Sequence, residues 1–268
     1  MSSAANARLM EAFIEMLAAE RGASPNTLEA YRRDLSDFFA FAARRKKDAE
    51  SAEAKTVRDY IAFLNGQGYA TATAARRLSA LKQFFLFLYA DGLRPDNPCQ
   101  GIEGPKKRRS LPKILSEDEV DRLLDTARSQ EERQQGSPRA LRLIALLEVL
   151  YATGLRVSEL IQLPVSAARG EAPVLVVRGK GGRERLVPLN EAAKEAMRAY
   201  LQVRKAFIKG DQDSPYLFPS SGKSGHLSRI RVVQLLDELA IKAGIDPRRV
   251  SPHVLRHAFA SHLLNNGA

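Results

Sequence analysis

The segment SPHVLRHAFASHLLNNGA, at 251–268, holds three of the four histidines in a chain of 268 residues: His253, His257 and His262, with Arg256 three residues after the first. His253 and His257 stand four apart, the spacing at which a helix presents two imidazoles to a zinc ion. The zinc pattern HExxH would place a glutamate after the first histidine as a base, whereas Val254, Leu255 and Arg256 intervene here. An arginine beside a divalent cation is repulsive, and no cysteine or acidic cluster nearby completes four ligands, so no metal is expected. An anion fits better. Ser251-Pro252 reads as a cap followed by proline, which puts His253 and Arg256 one turn apart at a helix start, where the dipole favours a phosphate. The plainer alternative is a packing helix, with Leu255, Phe259 and Leu263 turned inward and the histidines toward solvent.

Two more basic residues suit the same anion. In YATGLRVSEL, at 151–160, Arg156 lies at a turn directly after an apolar helix, and Glu159 three residues on can orient it. In PVLVVRGKGGRERLVPL, at 173–189, two β-branched runs flank Gly179-Lys180-Gly181-Gly182, which predicts a hairpin with Lys180 at its tip. Two arginines, a histidine and a lysine could neutralise a pentavalent phosphorane and protonate a leaving oxygen without a metal.

The elements that must position these groups follow from periodicity and caps. Residues 7–102 read as a helical bundle. Ser24-Pro25 opens one helix with Leu28, Tyr31, Leu35, Phe38 and Phe39 on one face. A second carries Val57, Tyr60, Ile61 and Leu64 and ends at Gly66 and Gly68; a third carries Leu78, Leu81, Phe85 and Leu88 before Asp91-Gly92. The polar faces bear Arg32-Arg33 and Arg76-Arg77, which suit either a DNA groove or water. GIEGPKKRRSLPKILS, at 101–116, is the expected boundary: a helical domain over 1–103, a basic linker over 104–115 with Lys106, Lys107, Arg108 and Arg109, and a second domain over 116–268. That domain opens on a capping box from Ser116 to Glu119. LRLIALLEVLY, at 141–151, is its buried central helix, and further helices are expected at 190–209, at 228–243 and from Ser251 onward.

Composition narrows the function class. The 42 Lys and Arg against 31 Asp and Glu give a net charge of +11, shared by both halves, so a polyanionic partner is the natural inference. No apolar run is long enough to cross a membrane and the N-terminus lacks a signal-peptide pattern, so a soluble, cytoplasmic protein is expected. The single Cys99 reads as a bystander.

Taken together, ATGLRVSEL, RGKGGRERLVPL and SPHVLRHAFASHLL, with TLEAYRRDL and RRLSALKQFF in the first part, resemble the tyrosine recombinase (phage integrase) family, its bacterial Xer branch above all. The resemblance spans nearly the whole chain. It implies a mainly α protein: an N-terminal helical, SAM-like core-binding domain and a mainly helical catalytic domain with a small antiparallel sheet, closing on double-stranded DNA as a C-shaped clamp. It implies strand cleavage by a tyrosine through a 3′-phosphotyrosine, with no cofactor. By motif, Arg156 and Arg256 clamp the phosphate, Lys180 is the general acid, His253 the acid/base partner, and Glu159 a support. It further implies resolution of chromosome dimers at cell division, in a tetramer with a sister recombinase of the XerC type, under a DNA translocase of the FtsK type. The family pattern continues beyond HLLNNGA to a second histidine or tryptophan and the nucleophilic tyrosine. No tyrosine follows Arg256 in these residues, so the chain as it stands is expected to bind without cleaving. Alternatives are the integrase of a mobile element, a DNA-binding protein without catalysis, and a type IB topoisomerase.

Overall fold

The computed structural model describes residues 2–105, 115–133, 136–170, 173–179, 184–208 and 213–265, in two compact units, Met1–Ser110 and Leu111–Ala268. The expected linker residues Lys106, Lys107, Arg108 and Arg109, and Lys180 of the hairpin, lie outside the described residues.

The first unit contains α1 (Ser2–Ala19), α2 (Pro25–Ala43), α3 (Ala54–Gly66) and α4 (Thr71–Ala90). The Ser24 hydroxyl accepts the Thr27 N–H at 3.3 Å, and Pro25 begins α2, so the cap forms where the Ser-Pro pair predicts it. Leu35 and Phe38, Tyr60 and Leu64, and Leu78, Leu81, Phe85 and Leu88 are all buried, so three amphipathic stripes share one core. Helix α1, which no cap signal marks, adds Phe13, Ile14 and Leu17; the Phe13 ring meets Phe84 edge-on at 5.5 Å. Arg94 is buried and donates to the carbonyls of Ala49 and Ala52 at 2.6 and 3.0 Å, pinning the loop between α2 and α3. Cys99 is buried in the same core, which pushes its thiol up to about 12 and leaves it inert.

The second unit contains α5 (Glu117–Arg133), α6 (Pro138–Thr153), α7 (Val157–Ile161), β1 (Val174–Arg178), β2 (Glu184–Pro188), α8 (Glu191–Val203), α9 (Arg229–Lys242) and α10 (Pro252–Asn265). Ser116 and Glu119 form both bonds of the capping box, at 3.2 and 3.0 Å. Helix α6 buries Leu146, Leu147, Val149 and Leu150 and packs against α5, α8 and α10, so it is the axis of the unit. Its one buried acid, Glu148, takes a 2.7 Å bond from Arg128 of α5.

Strands β1 and β2 pair antiparallel with Leu175 opposite Val187, Val176 opposite Leu186 and Val177 opposite Arg185. Directly opposed residues share a face, so Arg185 lies on the inward face with the buried Leu175, Val177 and Val187, while Val176 and Leu186 are exposed. A charged side chain on the buried face of a two-stranded sheet requires a partner below it.

Candidate active site

Arg156 follows α6 by a turn that only glycine can make. Gly154 caps α6 at φ 56° and ψ 29°, in the left-handed region, and its N–H bonds the Leu150 carbonyl at 3.0 Å. A Cβ at Gly154 would stand 2.4 Å from Cδ1 of Phe259 on α10. The absent side chain is therefore what lets α10 settle against the turn. Arg256 stands one turn before Phe259 on the same face of α10, and Arg156 stands two residues after Gly154.

Glu159, in the first turn of α7, is the anchor of that segment. Its carboxylate is only 6% exposed and accepts four N–H groups. The backbone N–H and Nη1 of Arg156 donate to it at 2.8 and 3.0 Å. Arg185 donates Nη1 and Nη2, one to each oxygen, at 2.9 and 2.8 Å. Burial would raise this carboxyl, but the bonds from Arg185 and Arg156 outweigh it and hold the group down at about 2. Arg156 is thus gripped by one edge, while 56% of its side chain stays open to solvent. Arg185 is a residue that none of the sequence motifs names. Its signals were a basic residue at an inward position of the predicted hairpin and an acid 26 residues earlier with one arginine already assigned to it.

On α10, the Ser251 hydroxyl caps the helix start through the Val254 N–H at 3.2 Å. His253 and His257 are exposed, their rings nearly perpendicular and their Nε2 atoms 3.1 Å apart, so one imidazole donates to the other. Arg256 is half-buried, and its enclosed Nη1 has no hydrogen-bond partner among the described residues. A donor in that condition is costly to the fold, by about 1–3 kcal/mol, unless an acceptor is delivered to it. Among the described residues, no group of three His, Cys, Asp or Glu side chains is placed to hold a metal ion.

The packing stripe of α10 differs from the expected one. Leu255 is buried and Phe259 covers Gly154, but Leu263 is 47% exposed and His262 is buried instead. The reason is polar. The Leu115 carbonyl can only accept, so His262 Nε2 donates to it at 3.1 Å, leaving Nδ1 to accept the Tyr151 hydroxyl at 3.0 Å. This histidine ties α10 to α6 and to the start of the second unit, whereas its two neighbours do face solvent.

In the first unit, three of the four arginines marked for DNA are held by the bundle's own acids. Arg32 pairs with Glu11, Arg76 with Asp34 and Arg77 with Asp37. Arg77 also donates to the Tyr60 hydroxyl at 3.1 Å and lies over the Tyr69 ring. Arg33 is exposed, with no partner among the described residues.

Comparison with known proteins agrees with this architecture. The model of the phage integrase family matches residues 113–268, and that of the phage integrase N-terminal SAM-like domain matches residues 10–92. The tyrosine recombinase XerD of Bradyrhizobium diazoefficiens is 53% identical over 98% of this chain and 85% of its own length. The XerD of Caulobacter vibrioides is 50% identical over 96% and 83%. Among solved structures, the XerH recombinase bound to palindromic difH, a post-cleavage complex, superposes with a TM-score of 0.74 at 19% identity, over 96% of this chain and 74% of that one. The Tn1549 transposon integrase bound to circular intermediate DNA superposes with a TM-score of 0.72 at 19% identity, over 97% and 87%. Those two likenesses establish a shared fold. With both parts matched by the family's models and half of its residues identical to those of its relatives, the chain belongs to the phage integrase family, as a XerD-like tyrosine recombinase.

Proposed function

We propose that the protein is a site-specific DNA recombinase that cuts and rejoins strands through a 3′-phosphotyrosine and resolves chromosome dimers at cell division. The observation that supports this reading is the seating of Phe259, one turn after Arg256 on α10, on Gly154, two residues before Arg156. Arg156 and Arg256 grip the scissile phosphate, each presenting guanidinium N–H groups to the charge that builds on its oxygens. Glu159 fixes the first of them. Lys180 delivers a proton to the leaving 5′-oxygen, and His253 acts as the acid/base and hydrogen-bonding partner. The helical domain of residues 1–103 and the catalytic domain from residue 116 both bind double-stranded DNA. The linker over 104–115 runs along the phosphates through Lys106, Lys107, Arg108 and Arg109, and Arg33, the one of the four marked arginines with no acid partner among the described residues, reaches the duplex from the first domain. The work is cytoplasmic, with a XerC-type sister recombinase in the tetramer and an FtsK-type translocase in control.

The attacking tyrosine is none of the seven in these 268 residues. Burial raises Tyr31, Tyr151, Tyr60 and Tyr200, and the last is pushed up to about 12. Those four hydroxyls are poor nucleophiles, and Tyr69, Tyr89 and Tyr216, like them, precede the HVLR segment, whereas the tyrosine of the family pattern follows it. A nicked suicide substrate, which traps the covalent intermediate, tests the reading. The full-length recombinase forms a denaturant-resistant adduct that maps outside residues 1–268, and these residues alone bind the site without one. An adduct on any of the seven tyrosines would overturn the assignment of the nucleophile.

A further inference from the structure

The hydrogen bonds around Glu159 assign a role to a residue that the motifs do not name. We propose that Arg185 is a positioning residue for strand cleavage: acting through Glu159, it sets Arg156 for the scissile phosphate and cancels the carboxylate's charge beside it. The inference rests on the assignment of Arg156 to that phosphate.

Each Glu159 oxygen serves two donors. Oε1 accepts Arg156 Nη1 and Arg185 Nη1, and Oε2 accepts the Arg156 backbone N–H and Arg185 Nη2. The parallel fork of Arg185 occupies one lone-pair direction on each oxygen, so Arg156 can meet the carboxylate only from the other side. Its guanidinium is held in one orientation without being wholly consumed. Charge leads to the same place. A lone carboxylate this close to a phosphate site would repel the substrate, and Glu159 with Arg156 alone sums to zero. Adding Arg185 gives Glu159 and its two arginines, taken together, a net positive charge. The strand supplies the leverage, because Arg185 is on β2, opposite Val177, so the hairpin and the Arg156 turn are joined by one ion pair.

Without Arg185, a nearly buried carboxylate keeps only Arg156. It then either draws in more of that guanidinium or takes up a proton, because burial raises its pKa and the strongest bond that lowered it is gone. Glu184 of β2 and Tyr216 also line the groove beside Glu159, so among the described residues the charged and titratable groups around it include Arg156, Arg185, Glu184 and Tyr216.

The test is single-turnover cleavage of a saturating nicked site by the full-length recombinase, with site affinity measured in parallel. Arg185→Gln is expected to slow cleavage by about 10-fold to 100-fold, as displacement of a reacting group by an ångström or less does, with affinity nearly unchanged. Arg185→Lys, which keeps the charge but not the fork, recovers part of the rate. The Arg185→Gln rate also falls further, relative to the parent, on acidification, because the loss of Arg185 raises the Glu159 carboxyl and it takes up a proton earlier than in the parent. In a Glu159→Gln background that added pH dependence is absent.

Arg128→Gln is the matched control for stability. It removes an arginine from Glu148, another buried carboxylate of the same unit, held by a 2.7 Å bond and not joined to Glu159 by any hydrogen bond among the described residues. Equal losses of thermal stability in the two variants, with slow cleavage only in Arg185→Gln, support positioning. Parent-like cleavage by Arg185→Gln, or equal slowing by both variants, overturns the inference. Parent-like cleavage by Arg156→Ala would instead overturn the phosphate assignment beneath it.

Discussion

Replacing Glu159 by glutamine keeps the shape of the side chain and removes the charge that two arginines hold. The carboxyl sits at about 2 against an ordinary value of 4.5. At about 1.4 kcal/mol per pH unit, that difference corresponds to roughly 3 kcal/mol of stability carried by the ionised form. The sign follows from the depressed value. The contribution is complete above the unfolded-chain value near 4.5, declines as pH falls through the interval from 4.5 to about 2, and vanishes below it. Urea unfolding followed by circular dichroism at a series of pH values measures it. Between about pH 5 and 7, Glu159→Gln is expected to be less stable than the parent by roughly 3 kcal/mol, and the gap should close on acidification. Other carboxylates titrate in both proteins, so the gap between them isolates Glu159. A gap that stays constant down to about pH 2.5, or no gap at neutral pH, would refute the reasoning, because neither is compatible with an arginine-held carboxylate.

Two other perturbations test the frame around the site. Gly154→Ala forces a Cβ into the left-handed region, at about 1–2 kcal/mol, and places it 2.4 Å from Phe259 Cδ1, so thermal unfolding should show a loss above that range. Adding Phe259→Ala relieves the steric part alone. Replacing Lys106, Lys107, Arg108 and Arg109 by glutamine should weaken binding to all DNA sequences alike and lower the salt slope by up to about 0.9 per lost phosphate contact. An unchanged slope would mean that these residues touch no phosphate.

What could be read in advance was whatever a local rule governs. Ser24, Ser116 and Ser251 each mark a helix start because a hydroxyl must satisfy N–H groups that the helix leaves unpaired, and all three caps form. The hairpin followed from β-branched runs around a glycine-rich tip. Helix α1 was not singled out, since it has neither a cap nor a strong stripe and depends on Phe13, Ile14 and Leu17 meeting the other three helices. Long-range partners were the main loss. The burial of His262 depends on Tyr151 and the Leu115 carbonyl, 111 and 147 residues away in the chain, and no periodicity encodes that. Arg185 likewise gains its meaning only once the hairpin is folded over Glu159. Arg76 and Arg77 looked like an open basic face because Asp34 and Asp37, which neutralise them, lie on another helix. The glycine in ATGLR was legible as a helix end, but not as the seat of Phe259.

The central claim is that Arg156 and Arg256 act together on one phosphate, and the full-length recombinase with alanine at either position tests it most directly. Cleavage of a nicked recombination site is measured beside affinity for the intact site. Each variant is predicted to bind within a few-fold of the parent and to cleave about 100-fold to 1,000-fold more slowly, the loss expected for one donor to developing charge. Near-normal cleavage by both variants, or loss of binding in step with loss of cleavage, would contradict the account.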